Sequence, residues 1–290
     1  MTETSPSINM QEISSSRILA RRAFNDHSLQ AEFDLNGYVT IPNFLDKEAI
    51  AEMESLYLKF SSAINVGFHV TNWVKDTTYS IESHLGIKSL LAGKLTSILN
   101  KYKPVLGCFA VKEAGFENSM GLHQDWSLTD ESEFYGISVW IPLVDVGENS
   151  GALRILKGSH RLFSNIRGQK INNQLDKISP RIIEKYLTSI PMKAGDLLIL
   201  HHRVVHSSGS AKQRRIATML AAIPQEANVK HYMADTNDPA QRKLRVFDCP
   251  DDFYVGFDIE SNPPGIFETA GIEQSNVIVT DLAIEHYYSK

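Results

Sequence analysis

The sequence predicts a mainly β protein with flanking helices, built as an antiparallel sandwich or barrel. Two observations carry that expectation. From Val105 onward, short β-branched and apolar runs recur between turns rich in Gly, Asn and Ser, the pattern of closely spaced antiparallel strands. Before Val105, two stretches instead repeat apolar residues at three- and four-residue intervals, as helices do when one face packs on a core.

Taken in order, residues 1–25 are polar and form an expected flexible lead-in, leaving 26–290 as a single domain. The run Gly37 to Pro42 is a first short strand closed by a proline. A helix is expected from about Lys47 to Phe60, with Ile50, Met53, Leu56, Tyr57 and Phe60 on one face. Asp46 stands where its carboxylate can accept the unpaired first-turn amides. A second helix is expected from about Ile87 to Lys103, with Pro104 as its stop. Phe68 to Asp76 lies between the helices, mixed aromatic and polar, as a strand or a pocket-shaping loop.

Strands are then expected at Val105–Lys112, Phe134–Leu143, Gly151–Leu156, Asp196–Leu200 and Ile216–Ile223, with a short helix inserted at Ile182–Leu187. In the second of these, Tyr135, Ile137, Val139 and Ile141 alternate against Gly136, Ser138 and Trp140. Arg167–Gln174 and Tyr232–Phe257 read as irregular segments suited to pocket walls or lids. No repeat or low-complexity segment divides the chain.

Composition narrows the function. A hydrophobic content of 42% over 290 residues supports a sizeable core, and a formal charge of -5 without any Lys/Arg cluster gives no footprint for nucleic acid. No apolar run reaches the roughly 18 residues needed to span a bilayer, and the N-terminus lacks the order of a secretory signal. Cys108 and Cys249 are far apart and read as reduced thiols. The expectation is a cytoplasmic protein with neither a nucleic-acid nor a membrane partner.

Chemistry centres on Gly121-Leu122-His123-Gln124-Asp125-Trp126. On an extended segment, residues i and i+2 project to the same side, so His123 and Asp125 can aim at one point as two of three metal ligands. Two imidazoles and one carboxylate on one face of an ion are used by non-haem Fe(II) oxygenases. Among ten histidines, His27 and His286 stand in polar terminal regions, and His69, His84 and His231 have no neighbour at ligand spacing. The cluster His201 to Gly209 follows an apolar strand and precedes another, where a hairpin can return to the first site. His202 and His206 are four apart, a zinc-type pair on a helix, but Leu, Ile and Val around them favour strands. Arg214 and Arg215 enter the next strand, and the arginine fork binds carboxylates bidentately. An open metal beside an arginine suits a chelating 2-oxo acid with a second carboxylate, which fits 2-oxoglutarate.

On these motifs the chain resembles the phytanoyl-CoA dioxygenase family of Fe(II)- and 2-oxoglutarate-dependent oxygenases. The resemblance spans roughly Phe33 to Pro224. It rests on Gly37 to Leu45, His123-Gln124-Asp125, Trp140 to Leu143, Asn149 to Leu153, Gly158 to Arg161, Gly195-Asp196, His206 to Gly209 and Arg215-Ile216-Ala217, in that order. It implies a double-stranded β-helix core, a jelly roll of cupin type. It also implies His123, Asp125 and His206 as the metal-binding and catalytic set, Arg215 as the anchor of the distal carboxylate of 2-oxoglutarate, and Ser208 and Trp140 as pocket lining. Lys112 is a further residue able to reach the pocket. Arg215 fits the family's Arg-x-Ala pattern, whereas the short turn after His206 and Ala211, where many relatives carry asparagine, leave Arg214 as the alternative. His160 reads as structural.

The implied activity uses Fe(II), dioxygen (O2) and 2-oxoglutarate, with ascorbate supportive in vitro, to hydroxylate an unactivated C–H bond of a small-molecule metabolite, in a biosynthetic tailoring step. Asp125 disfavours halogenation, since related halogenases replace that carboxylate to admit chloride. Desaturation, ring formation and epimerisation start from the same hydrogen abstraction. The competing class is a non-catalytic protein that binds iron or 2-oxoglutarate on the same fold. Oligomeric state is not legible.

Overall fold

The computed structural model describes residues 21–59, 67–73, 77–114, 117–238, 240, 242–274 and 277–290. Thirteen strands are named among them: β1 (Tyr38–Ile41), β2 (Phe68–Val70), β3 (Tyr102–Lys112), β4 (Met120–His123), β5 (Ile137–Pro142), β6 (Leu153–Leu156), β7 (Leu187–Ile190), β8 (Leu197–His201), β9 (His206–Ser208), β10 (Arg215–Pro224), β11 (Val229–Ala234), β12 (Lys243–Cys249) and β13 (Ile272–Glu273). The helices are α1 (His27–Asn36), α2 (Lys47–Leu58), α3 (Thr77–Ile98), α4 (Pro180–Tyr186), α5 (Phe253–Gly256) and α6 (Asp281–Tyr288).

A six-stranded sheet in the order β1-β8-β5-β10-β3-β2 faces a four-stranded sheet in the order β4-β9-β6-β7, and β11-β12-β13 form a third. This is the double-stranded β-helix. Strand alternation sorts the large sheet into two faces. Val139, Ile141, Leu197, Ile199, Phe109 and Val111 pack on one side with Met53, Tyr57, Ile87 and Leu91 of the helices. Trp140, Leu198, Leu200 and Ala217 point to the other side, where Leu153, Ile155 and Ile190 of the small sheet meet them. Two buried apolar layers on opposite faces therefore fix the register, because a slip of one residue would exchange them.

Asp46 caps α2 by accepting from the Ala49 amide at 2.8 Å; Phe60, its expected last residue, lies outside the described residues. The second helix differs from expectation at both ends. It begins ten residues earlier, at Thr77, because its first turns bury Tyr79, Ser80, Ser83 and His84, a polar face that apolar periodicity misses. Its C-terminus is closed by Asn25, whose amide donates to the carbonyls of Thr96, Ser97 and Leu99. Pro104 instead lies within β3, beside a register shift in the pairing with β10, where a missing N–H is tolerated.

Phe68–Asp76 is a strand running into a turn of 3₁₀ helix at Thr71–Trp73; residues 74–76 lie outside the described residues. Of the expected lead-in, residues 1–20 also lie outside them, but 21–25 are docked rather than flexible. Ala23 and Phe24 are buried, and Arg21 pairs with Glu226 at 2.5 Å. Tyr232–Phe257 likewise carries regular elements: β11 pairs along its whole length with Leu244–Cys249 of β12 and α5 follows, while residues 239 and 241 lie outside the described residues. Charged residues such as Lys230, Lys243, Arg245 and Asp248 interrupt its apolar alternation, which hides the hairpin from a pattern of hydrophobicity. Leu187 begins β7 rather than ending the α4 helix.

Candidate metal centre

β4 and β9 are neighbours in the small sheet, and their register places His123 opposite His206. The two rings stand 4.1 Å apart between centroids. β4 ends at His123. Gln124 turns away, donating to the Arg203 carbonyl at 2.6 Å, and Asp125 turns back. One ligand atom from each of His123, Asp125 and His206 lies within 4.8 Å of the other two.

Each imidazole is oriented by a backbone carbonyl two residues earlier. Nδ1 of His123 lies 2.9 Å from the Gly121 carbonyl, and Nδ1 of His206 lies 3.0 Å from that of Val204. A carbonyl only accepts, so Nδ1 carries the proton in both rings and Nε2 keeps its lone pair for an ion. Nε2 of His206 is 3.9 Å from Oδ1 of Asp125, and Oδ2 accepts from the Ser138 hydroxyl at 2.6 Å. Burial lowers the His123 pKa to about 4, with His206 adding to the effect. Burial pushes Asp125 upward, yet His206, His202, His123 and the Ser138 bond outweigh it and bring it to about 2. At neutral pH the cluster is thus ready to bind: a neutral imidazole and an ionised carboxylate.

The other expected residues fall on the inner face of the large sheet or beside it. Arg215 is 2% exposed; its guanidinium lies 5.5 Å from the Trp140 ring centroid, and Nη1 donates to the Gly151 carbonyl at 2.8 Å. Its Nε has no partner. Lys112 pairs with Arg215 across the strands and donates to the carbonyls of Ser208 and Gly209. Burial, followed by the charge of Arg215, lowers Lys112 to about 7. Ser208 is buried at the end of β9. Arg214, on the opposite side of the strand, pairs with Glu113 at 2.8 Å and is half-exposed.

Lys112, held only partly charged at neutral pH, thus stands across the strands from a buried guanidinium, and Arg215 makes no ion pair with a carboxylate among the described residues. A desolvated guanidinium without a counter-charge is costly, so this buried arginine suits an anionic partner. His202 is not part of the cluster: it is buried against Gly136, where an added Cβ would come within 2.3 Å of its ring. His160 packs near His201 and Gly37. Ser138, Glu131, Arg167 and Arg203 escaped the reading of the sequence. Ser138 carried a signal, since it shares side-chain parity with Trp140.

A jelly roll that gathers two imidazoles and one carboxylate beside a buried arginine defines a protein of the mononuclear non-haem metal class. The family model described as Phytanoyl-CoA dioxygenase (PhyH) matches residues 33–217, and the chain belongs to that family. It is 32% identical over 141 residues to a phytanoyl-CoA dioxygenase of Arabidopsis thaliana, covering 46% of each chain. It is 28% identical over 104 residues to phytanoyl-CoA dioxygenase 1 of Oryza sativa subsp. japonica, covering 34% of this chain and 36% of that one. The matched region therefore spans less than half the length of these relatives. Among solved structures, the epimerase SnoN in complex with Fe3+, alpha ketoglutarate and nogalamycin RO aligns at a TM-score of 0.53, with 18% identity, covering 87% of this chain and 96% of SnoN. The carbocyclase SnoK aligns at 0.50 with 19% identity, covering 70% and 86%. These two likenesses show the shared fold.

Proposed function

We propose that the protein is an Fe(II)- and 2-oxoglutarate-dependent oxygenase that hydroxylates a C–H bond of a small-molecule metabolite, in a biosynthetic tailoring step. The observation that carries this is the His123–Asp125–His206 cluster in a chain of this family, supported by the buried Arg215, whose Nε has no partner. When bound, iron supplies the activation of dioxygen coupled to oxidative decarboxylation of 2-oxoglutarate to succinate and carbon dioxide.

The chain's own residues supply binding and orientation. His123 and His206 present Nε2 and Asp125 presents Oδ1, while Ser138 occupies Oδ2 and leaves the carboxylate one free oxygen. Arg215 takes the distal carboxylate through its free Nε edge, Trp140 stacks beneath it, and Lys112 and Ser208 close the end of that pocket. The buried position of Arg215 and the outward pairing of Arg214 with Glu113 favour Arg215 as the anchor.

Substrate would approach from the other side of Asp125. Ala221 is flanked by Ser138 on β5 and Leu106 on β3, and Leu106, Ala221, Trp126 and Phe253 are partly buried on one apolar cluster. That wall stands next to the residue that holds Asp125, which suits an apolar portion of the substrate. The reading takes 26–290 as one oxygenase domain of a cytoplasmic protein, with neither a nucleic-acid nor a membrane partner; no helix among the described residues is long and apolar enough to cross a membrane.

The test is succinate formation from 2-oxoglutarate with Fe(II), O2 and ascorbate, alone and with a panel of small metabolites. Stimulation by a metabolite together with an oxygenated product supports the reading. Tight 2-oxoglutarate binding without turnover under every condition sinks it in favour of a binding protein.

A further inference from the structure

Behind the metal cluster, Glu131 bridges two arginines with its side chain only 2% exposed. Nη1 and Nη2 of Arg167 donate to its two carboxylate oxygens at 2.6 and 2.7 Å. Arg203 Nε donates to Oε2 at 2.7 Å, and its Nη2 donates to the Glu131 carbonyl at 2.8 Å. Burial pushes the Glu131 carboxyl upward, and the two arginines outweigh it, holding the acid well below the usual carboxylate range.

Each arginine is in turn tied to a ligand-bearing segment. Arg167 Nε donates to the backbone carbonyl of Asp125 at 3.0 Å. The carbonyl of Arg203, three residues before His206, accepts from Gln124 at 2.6 Å, and Gln124 stands between His123 and Asp125. A single carboxylate therefore connects the backbone of one ligand to the turn that delivers another. Salt links of this kind are stiff: the pairing is bidentate, charge-assisted and shielded from water.

Resting on the metal-centre reading above, we propose that Glu131, with Arg167 and Arg203, is a positioning element that sets the separation between the His123–Asp125 segment and the His206 turn, and with it the affinity and geometry of the centre. None of the three side chains bonds to a ligand side chain among the described residues; they act through the backbone. None of the three belongs to the apolar layers on the two faces of the large sheet, so the spectrum of the bound ion is read beside the fold.

The test is anaerobic titration of the metal-free protein with Co2+, reading both affinity and the visible absorption of the bound ion. The variants are Glu131→Gln and Arg167→Lys, with Arg245→Ala, an exposed pair partner of Glu268, as control. Lysine keeps the charge of residue 167 but cannot bond both Glu131 oxygens and the Asp125 carbonyl together. The expected result is a Co2+ dissociation constant raised roughly tenfold or more in both variants, with a changed absorption spectrum, at unaltered circular dichroism. Arg245→Ala keeps the parent values. Where Glu131→Gln does not fold, the charge-conserving Arg167→Lys decides. Folded variants that bind Co2+ with the parent's affinity and spectrum overturn this proposal alone. A parent protein that binds no Co2+ overturns the metal-centre reading and this proposal with it.

Discussion

The guanidinium of Arg215 lies 5.5 Å from the Trp140 ring centroid, buried between the sheets with its Nε unpaired. Burial alone brings its pKa down to about 9, which still leaves it charged at neutral pH. A cation in that position stabilises an anion strongly and is itself destabilising without one. Arg215→Lys keeps the charge but loses the planar fork. We expect the KM for 2-oxoglutarate to rise at least tenfold in this variant, while Arg214→Ala stays within about twofold of the parent. The reverse ranking would move the anchor to Arg214.

The Ser138 hydroxyl holds Oδ2 of Asp125 at 2.6 Å. Partners of this kind typically contribute 10–100-fold in metal affinity, so Ser138→Ala should weaken Fe(II) binding by about tenfold with little change in thermal stability. Calorimetric titration of the metal-free protein with Fe(II) under nitrogen reads this directly. Unchanged affinity would show that the sheet does not restrain the carboxylate.

Replacing His123, Asp125 or His206 by Ala should each abolish stoichiometric iron, measured by elemental analysis after anaerobic loading and desalting. His202→Ala should retain it, because that ring packs on Gly136 and is not one of the three gathered ligands. Iron lost only in His202→Ala would mean that the wrong histidine has been assigned.

Stability of the metal-free protein should fall with acid. Burial lowers both His231 and His160 to about 4, and for His160 the charge of Arg161 adds to it. His231 is fully enclosed by Trp126, Phe247, Phe253, Tyr254 and Phe257, and its Nε2 meets Oε1 of Gln169 at 3.0 Å. An unfolded histidine has a pKa of about 6.5, so the unfolded chain binds more protons between that value and 4. The stability contributed by the neutral rings is complete above pH 6.5, declines as pH drops through that window, and is gone below 4. Urea midpoints measured from pH 7 to pH 5, above the range of most carboxylates, should decrease steadily. A flat profile would contradict the buried neutral rings.

Gly37 closes α1 with φ of +77°, and an added Cβ would come within 2.3 Å of Val204 and 2.5 Å of the His160 ring. Gly37→Ala should therefore cost about 1–3 kcal/mol, seen as a lower denaturation midpoint. The strain falls on the segment just before His206, so iron affinity should weaken in the same variant.

Much of this molecule is written locally. The alternation in Phe134–Leu143 separates Trp140 and Ser138 from Val139 and Ile141, and the large sheet uses that separation to divide pocket from core. The Asp46 cap depends on neighbouring residues alone. The early start of α3 was hidden because its buried face is made of Ser80, Ser83 and His84, which carry no apolar period. The hairpin of β11 and β12 was masked by its charged outer residues.

By itself the sequence determined the two faces of each core strand, the ligand pair His123 and Asp125, and the order of motifs that marks the family. The first two follow from alternation and spacing, which act over a few residues; the third is a resemblance carried by motifs spread from Phe33 to Pro224. Only the tertiary structure decided that His206 stands opposite His123, that Arg215 rather than Arg214 turns inward, and that Glu131 ties the ligand segments together. Each of those depends on which strands pair and in what register, a property of sheets assembled from residues far apart in the chain.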